Sequence, residues 1–308
     1  MHRSSTEVKG QGEPGFHFRN PSVGAACGWP ENNSYGPATP GLRASPGFLS
    51  IPSWCRQARA TEEACPPRPS PVEGEGVLRI PGLAAEAGLV HGFSTMALGS
   101  MRGPAPDGGP LTPARRAFAE VLGLDPGRLT AAGAVHGAEV ARVEEPAGVV
   151  RGCDAVMTDR PGLPLLATFA DCWPVLLYDP VRPAVALVHA GWRGSAAGIA
   201  VRAVAAMRRE YGSSPADLVA GLGPGICARC YEVGEEVAGR FDAARARPAG
   251  DGRFRLDLEA VNRGQLEAAG LRPQRVHVHG ACTRETAELA SHRRAADGVR
   301  FACLVAIR

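Results

Sequence analysis

From Val77 onward the chain alternates between short, dense apolar runs and amphipathic stretches. VLRIPGL (77–83), GLVHGFST (88–95), VARVEE (140–145), DAVMT (154–158), PLLATF (164–169), VLLYD (175–179), LVAGLG (218–223) and RVHVHG (275–280) read as strands. AVALVHA (184–190) and FACLVAI (301–307) are apolar throughout, as expected of strands covered on both faces. Helical spacing occupies Pro113 to Leu122, with Gly123 as its stop. A second helix is expected behind a Ser195 cap, with Ile199, Ala203, Ala206 and Met207 on one side and Gly212 at its end. Glu235 to Phe241 reads as helical, and Asp257 caps a last helix with Leu258, Val261, Leu266 and Ala269 inward and Gly270 at its end. Strands and helices mix without strict βαβ alternation. The pattern predicts an α/β (α+β) fold, one domain of mixed β-sheets with flanking helices over residues 77–308.

Residues 1–76 follow neither period. They are rich in Gly, Pro, Ser and Asn (PENNSYGPATPGLRASPGF, ACPPRPSPVEGEG), and such a segment buries too little apolar surface to offset its ordering entropy. A disordered, low-complexity tail is expected there. Composition elsewhere is ordinary: 44% hydrophobic and 21% charged residues in 308, with a net charge of +3. That balance argues against a nucleic-acid partner or an anionic membrane surface. No run approaches the ~20 apolar residues that span a bilayer, and the N-terminus lacks the apolar core of a signal peptide. Nine cysteines, an odd number, fit reduced thiols in a cytoplasm better than a disulfide framework.

Three residues stand out by type and setting. His136 lies in AVHGAEV between a loop and a strand, Cys172 in FADCWPVLLYD at a break between apolar runs, and His189 near the end of AVALVHA. Two imidazoles and a thiolate suit Zn²⁺ with its fourth place open to water or substrate. Two hydrogen-bonded core histidines and a buried cysteine are the plainer alternative. A rival metal group is the Cys227-x-x-Cys230 pair with His277, His279 and Cys282, although 47 residues separate its halves, and a redox use of the pair lacks the thioredoxin-like surroundings. HAGWRGSAAG (189–198) runs from strand to helix, so Gly194 and its neighbours could offer N–H groups to an oxyanion and Arg193 a bidentate contact. A tight turn with Trp192 packed on the core explains the same residues. Asp171, beside Cys172, is a turn former, a partner that orients a ligand histidine, or a general acid/base.

Taken together, DAVMTDRPGLPLLATFADCWPVLLYDP, AVALVHAGWRGSAAGI, GPGICARCYEVGEEV and the closing CT…SHRR…GVRFACLVAI resemble one family. It is the bacterial group once called multicopper polyphenol oxidase or laccase-domain proteins and now described as purine nucleoside phosphorylase-like. The resemblance covers about residues 77–308. It implies a zinc held by His136, Cys172 and His189, and phosphorolysis of adenosine, inosine, guanosine and S-methyl-5'-thioadenosine, with adenosine deamination at the same site. Cys172, Asp171 and Arg193 are then the expected catalytic residues, with Arg193 and Gly194 at the phosphate. The partners implied are small-molecule nucleosides and phosphate, the compartment is the cytoplasm, and the assembly a monomer or weak dimer. Departures exist: Ala134 stands where the family has glutamine, Phe169 where it has threonine, Met96 where it has arginine and Leu98 where it has glycine. They motivate a second reading, a degraded member that binds zinc and nucleosides without turnover. The older copper-dependent phenol oxidoreductase reading needs clustered H-x-H pairs, and eight histidines with one such pair (His277, His279) supply too few.

Overall fold

Alternation decides the architecture. In the strand Phe301–Ile307, Cys303 and Val305 point one way while Ala302 and Leu304 point the other, and both sets are fully buried. The strand Ala184–Ala190 does the same, with Val185 and Leu187 on one face and Ala184, Ala186 and Val188 on the other. Strands buried on both faces must each be the middle of a three-layer arrangement. The protein, described here from a computed structural model over residues 76–103, 109 and 111–308, stacks two six-stranded sheets on one another with helices outside. The expected disordered tail falls, up to residue 75, outside the described residues.

The first sheet runs in the order Val77–Leu78, Leu89–Ser94, Phe301–Ile307, Leu165–Phe169, Thr130–Gly133, Val149–Arg151. The second runs Val276–Val278, Val219–Leu222, Trp173–Asp179, Ala184–Ala190, Ala155–Thr158, Val140–Arg142. Both mix parallel and antiparallel neighbours. Phe93, Phe169, Phe301 and Val305 from the first sheet meet Leu176, Tyr178, Val185 and Leu187 from the second. On the outer face of the first sheet, the helix Pro113–Val121 buries Phe118 and Ala119 against Leu166, Ala302 and Leu304. On the outer face of the second, the helix Ile199–Tyr211 presents Ile199, Ala203, Val204 and Met207 to Val175, Leu177, Ala186 and Val188. A three-stranded sheet, Glu232–Gly234, Arg253–Leu256 and Ala246–Gly250, completes the chain.

Three expectations are corrected. VLRIPGL is not one strand: Pro81 starts a short helix, Pro81–Ala84, after the two-residue strand Val77–Leu78, because proline suits the first helical position and no ladder. Ser195 does not cap the long helix. It lies inside a separate five-residue helix, Trp192–Ala196, with its buried Oγ bonded to Asn262, and the long helix starts after Gly198, whose φ of 72° no side chain favours. The helix at Glu235 ends at Ala238, short of Phe241. Asp257 does cap its helix, accepting from the N–H of Ala260 at 2.9 Å.

Candidate metal centre

Strand register brings the first two groups together. In the antiparallel pair of Ala155–Thr158 with Ala184–Ala190, Ala155 faces Val188, so Asp154 and His189 come next in line. The His189 N–H donates to the Asp154 carbonyl at 2.7 Å, and His189 Nδ1 lies 2.9 Å from Asp154 Oδ1. The same carboxylate accepts from three successive backbone N–H groups, those of Val135 (3.1 Å), His136 (2.8 Å) and Gly137 (2.7 Å). These contacts hold His136 in the left-handed region at φ 61°, uncommon for a residue with a Cβ. Asp154 thus fixes both histidines, one through its ring and the other through its backbone.

Cys172 arrives from a third direction. It immediately precedes the strand Trp173–Asp179, in which Trp173 pairs with Ala190 and Pro174 with His189. Gly191 sits across from it, and a Cβ built on Gly191 would come within 3.0 Å of Cys172 Sγ and 3.2 Å of His136 Cδ2. Only a residue without a side chain lets the thiol and the ring approach. The ligand atoms of His136, Cys172 and His189 all lie within 4.8 Å of one another, with His189 buried, Cys172 half-buried and the His136 side exposed.

Electrostatics prepare the three for a cation. Burial disfavours the Asp154 carboxylate, but hydrogen bonds from His189 and the backbone outweigh it and hold its pKa down to about 2. An ionised carboxylate can only accept, so His189 Nδ1 donates to Asp154 and Nε2 is the ring atom turned toward Cys172, available to a metal once its own proton is displaced. Burial likewise opposes the Cys172 thiolate, yet the neighbouring His189 and His136 lower its pKa to about 6. Burial would depress His189 too; the thiolate and Asp154 raise it instead, to about 9. At neutral pH the thiolate therefore pairs with a protonated His189, and a cation that displaces the Nε2 proton would meet one thiolate and two imidazoles, a borderline-soft set of three protein ligands that fits zinc with one position left open.

The other predicted residues occupy different places. Asp171 does not touch a histidine: Oδ1 accepts from Thr283 Oγ1 and Oδ2 from the Arg293 N–H, each at 2.7 Å, while its carbonyl accepts from Ile226 N–H at 2.9 Å. Of the three roles open to Asp171, the orienting contact to a ligand histidine is made instead by Asp154. Arg193 is exposed, its guanidinium 4.3 Å from the Trp192 ring centroid, beside a cavity of about 380 Å³ shared with Glu236 and Arg240. Gly194 is buried; a Cβ there would stand 2.8 Å from the Gly137 carbonyl, so its bareness lets the short helix pack on the His136 loop. Sequence reasoning overlooked Asp154. The signal was available, since a carboxylate at the head of the buried run AVMT needs a partner as much as Asp171 does.

Residues 93–308 match the family described as multi-copper polyphenol oxidoreductase laccase. The chain belongs to this family. Within the laccase-domain family, a purine nucleoside phosphorylase of Streptomyces coelicolor is 44% identical over 195 residues, covering 61% of this chain and 78% of the relative. A purine nucleoside phosphorylase of Deinococcus radiodurans is 37% identical over 233 residues, covering 72% and 88%. A protein named adenosine deaminase RL5, from an unknown prokaryotic organism, is 33% identical over 187 residues, covering 56% and 71%. The crystal structure of YlmD from Geobacillus stearothermophilus superposes with a TM-score of 0.71 at 30% identity, covering 78% of this chain and 98% of that one. The laccase-domain relatives thus point to a nucleoside-processing enzyme with small-molecule substrates.

Against the laccase-domain pattern, Ala134 is exposed and Met96 is 37% exposed. Phe169 is buried, its ring centroid 5.3 Å from that of His189. The second metal group is corrected in its membership. Cys227, Cys230 and Cys282 do converge, but His277 and His279 stay apart and Glu285 completes the set. No helix among the described residues is long and apolar enough to cross a membrane.

Proposed function

We propose that the protein is a zinc-dependent purine nucleoside phosphorylase, with residues 77–308 as its catalytic domain. Its substrates would be adenosine, inosine, guanosine and S-methyl-5'-thioadenosine, and adenosine would also be deaminated at the same site. The observation that carries the reading is the convergence of His136, Cys172 and His189 within 4.8 Å, oriented by one buried carboxylate and open on the His136 side. When bound there, zinc supplies a Lewis acid and lowers the pKa of water toward neutrality.

The chain's own residues have separate tasks. His136 Nε2 or Nδ1, Cys172 Sγ and His189 Nε2 hold the ion, and Asp154 keeps the proton on His189 Nδ1 throughout. Phosphorolysis breaks the N-glycosidic bond, transfers the ribosyl carbon to phosphate and leaves the purine with the bonding electron pair. Arg193, together with the N–H of Gly194 in the first turn of Trp192–Ala196, would hold the phosphate dianion. Deamination exchanges the C6 amine for water and releases ammonia. Asp171, with both oxygens engaged, acts as a positioning residue that keeps the Thr283 and Arg293 segments beside Cys172.

One incubation tests the proposal: purified protein with adenosine and phosphate, products separated by chromatography and metal content measured on the same sample. Adenine with ribose 1-phosphate supports phosphorolysis, and inosine supports deamination. No product at full zinc occupancy overturns the enzymatic reading in favour of a binding-only member, the outcome that Met96 and Ala134 motivate. Copper in place of zinc, with phenol oxidation, would return the older oxidoreductase reading.

A further inference from the structure

We propose that a second, structural zinc site is formed by Cys227, Cys230, Cys282 and Glu285, independent of the nucleoside chemistry. Their ligand atoms all lie within 4.8 Å of one another. Glu285 Oε1 is 3.3 Å from Cys230 Sγ and 3.9 Å from Cys227 Sγ. A tetrahedral ion with legs of about 2.3 Å to sulfur and about 2.0 Å to oxygen sets sulfur–oxygen edges of about 3.5 Å. The four groups therefore close on a zinc-sized centre with small shifts of the exposed Glu285 and the half-buried Cys227 and Cys230 toward the buried Cys282.

The backbone is built for it in two matching halves. In C-A-R-C the N–H groups of Cys230 and Tyr231 both donate to the Cys227 carbonyl at 3.0 Å. In C-T-R-E the N–H groups of Glu285 and Thr286 donate to the Cys282 carbonyl at 3.1 and 2.9 Å. Each half is a tight turn that aims its first and fourth side chains at the same point. The halves are stitched together by Gly225 N–H to the Ala281 carbonyl (3.3 Å) and Thr283 N–H to the Gly225 carbonyl (3.1 Å), and the Cys227 N–H points at Cys282 Sγ from 3.3 Å. An N–H aimed at sulfur stabilises the thiolate form that a metal requires. Three thiolates and a carboxylate around a divalent ion leave a formal dianion, and Arg229 stands against it, with Nη2 2.8 and 3.0 Å from the Glu285 oxygens. Four protein ligands leave no open position, which is the mark of a structural and not a catalytic zinc.

Its place in the fold says what the ion would hold. The loop carrying Cys227 also donates Ile226 N–H to the Asp171 carbonyl and accepts Trp173 Nε1–H at the Ile226 carbonyl (3.1 Å). The loop carrying Cys282 supplies Thr283 to the Asp171 carboxylate. Joining the two loops therefore clamps the segment on either side of Cys172 from outside the first centre.

The test is metal counting on the full chain, purified under reducing, chelator-free conditions. Wild type should hold two zinc ions per chain, Cys172→Ala one, Cys230→Ser one, and the double variant none. Cobalt-substituted Cys172→Ala should show the intense thiolate-to-cobalt charge-transfer band of several sulfur ligands. If Cys230→Ser fails to fold, wild type still decides: with zinc bound, Cys227 and Cys230 should be alkylated at least about ten-fold more slowly than after chelation. Folded Cys230→Ser with the zinc content of wild type overturns the proposal. So does a metal-free disulfide between two of these cysteines, seen by mass spectrometry of protein handled without oxidant. Failure of the nucleoside reading would leave this count untouched, and loss of the first zinc alone would lower wild type without changing Cys172→Ala.

Discussion

Asp154 Oδ1 sits 2.9 Å from His189 Nδ1, and the same carboxylate collects the N–H groups of Val135, His136 and Gly137. One residue from a strand end thus sets the tautomer of one ligand and the backbone of another. Replacing Asp154 with asparagine puts an amide NH₂ where at least one N–H donor already points. Zinc affinity should fall about 10- to 100-fold, the usual cost of losing a carboxylate behind a ligand histidine. Competition with a colorimetric chelator measures it. Unchanged affinity and turnover in Asp154→Asn would remove the orienting role assigned to this residue.

Gly191→Ala tests the approach of the ligands themselves. The backbone at Gly191 has φ −79°, so alanine brings no conformational strain, only a methyl 3.0 Å from Cys172 Sγ and 3.2 Å from His136 Cδ2. The thiol and ring must give way by a few tenths of an ångström. Zinc content and nucleoside turnover should drop, turnover by about ten-fold or more, while the melting temperature changes little. Equal turnover with full zinc would mean that the site tolerates a wider spacing than the geometry implies.

Much of this arrangement was legible in the chain. The runs AVALVHA and FACLVAI became strands at their expected bounds because burial on both faces admits only apolar side chains. Thr130–Gly133 was invisible, since T-A-A-G has no alternation and a single β-branched residue, and it is a strand only because Leu165–Phe169 and Val149–Arg151 flank it. His136, Cys172 and His189 stand out by type and setting, but nothing local links them; register between distant strands does. Asp154 carries a local hint, a charge at the head of a buried run, but its partner His189 lies 35 residues on, and Glu285 takes its meaning from Cys230, 55 residues away.

His91 gives a pH signature separate from the metal. It is 2% exposed, accepts the Ile80 N–H at Nε2 (3.0 Å), and burial, with Arg79 and His279 adding to it, lowers its pKa to about 4. In the unfolded chain the imidazole titrates near 6.5, so between 6.5 and 4 the unfolded state binds the proton and the folded state does not. Stability from this residue is therefore present above about pH 6.5, is lost as pH falls toward 4, and then levels off. The loss is about 3 kcal/mol at most. Urea unfolding across this range should show it, and His91→Gln, whose carbonyl can still accept from Ile80, should flatten that part of the curve. A wild-type curve level from pH 6.5 to 4 would contradict the burial of a neutral ring.

Asp171 separates position from chemistry. Its φ of 85° is a conformation that asparagine tolerates nearly as well as aspartate, and alanine poorly. An asparagine oxygen can accept the Arg293 N–H while its amide donates to Thr283 Oγ1, because a hydroxyl can reverse its bond. If Asp171 only holds these segments in place, Asp171→Asn should keep activity within about ten-fold and an unshifted pH profile, whereas Asp171→Ala should lose both stability and turnover. A general acid or base would behave otherwise: asparagine cannot carry the proton, and Asp171→Asn would fall as far as alanine while zinc stayed bound. The ratio of the two variants, read with zinc content, therefore assigns the residue without relying on either loss alone.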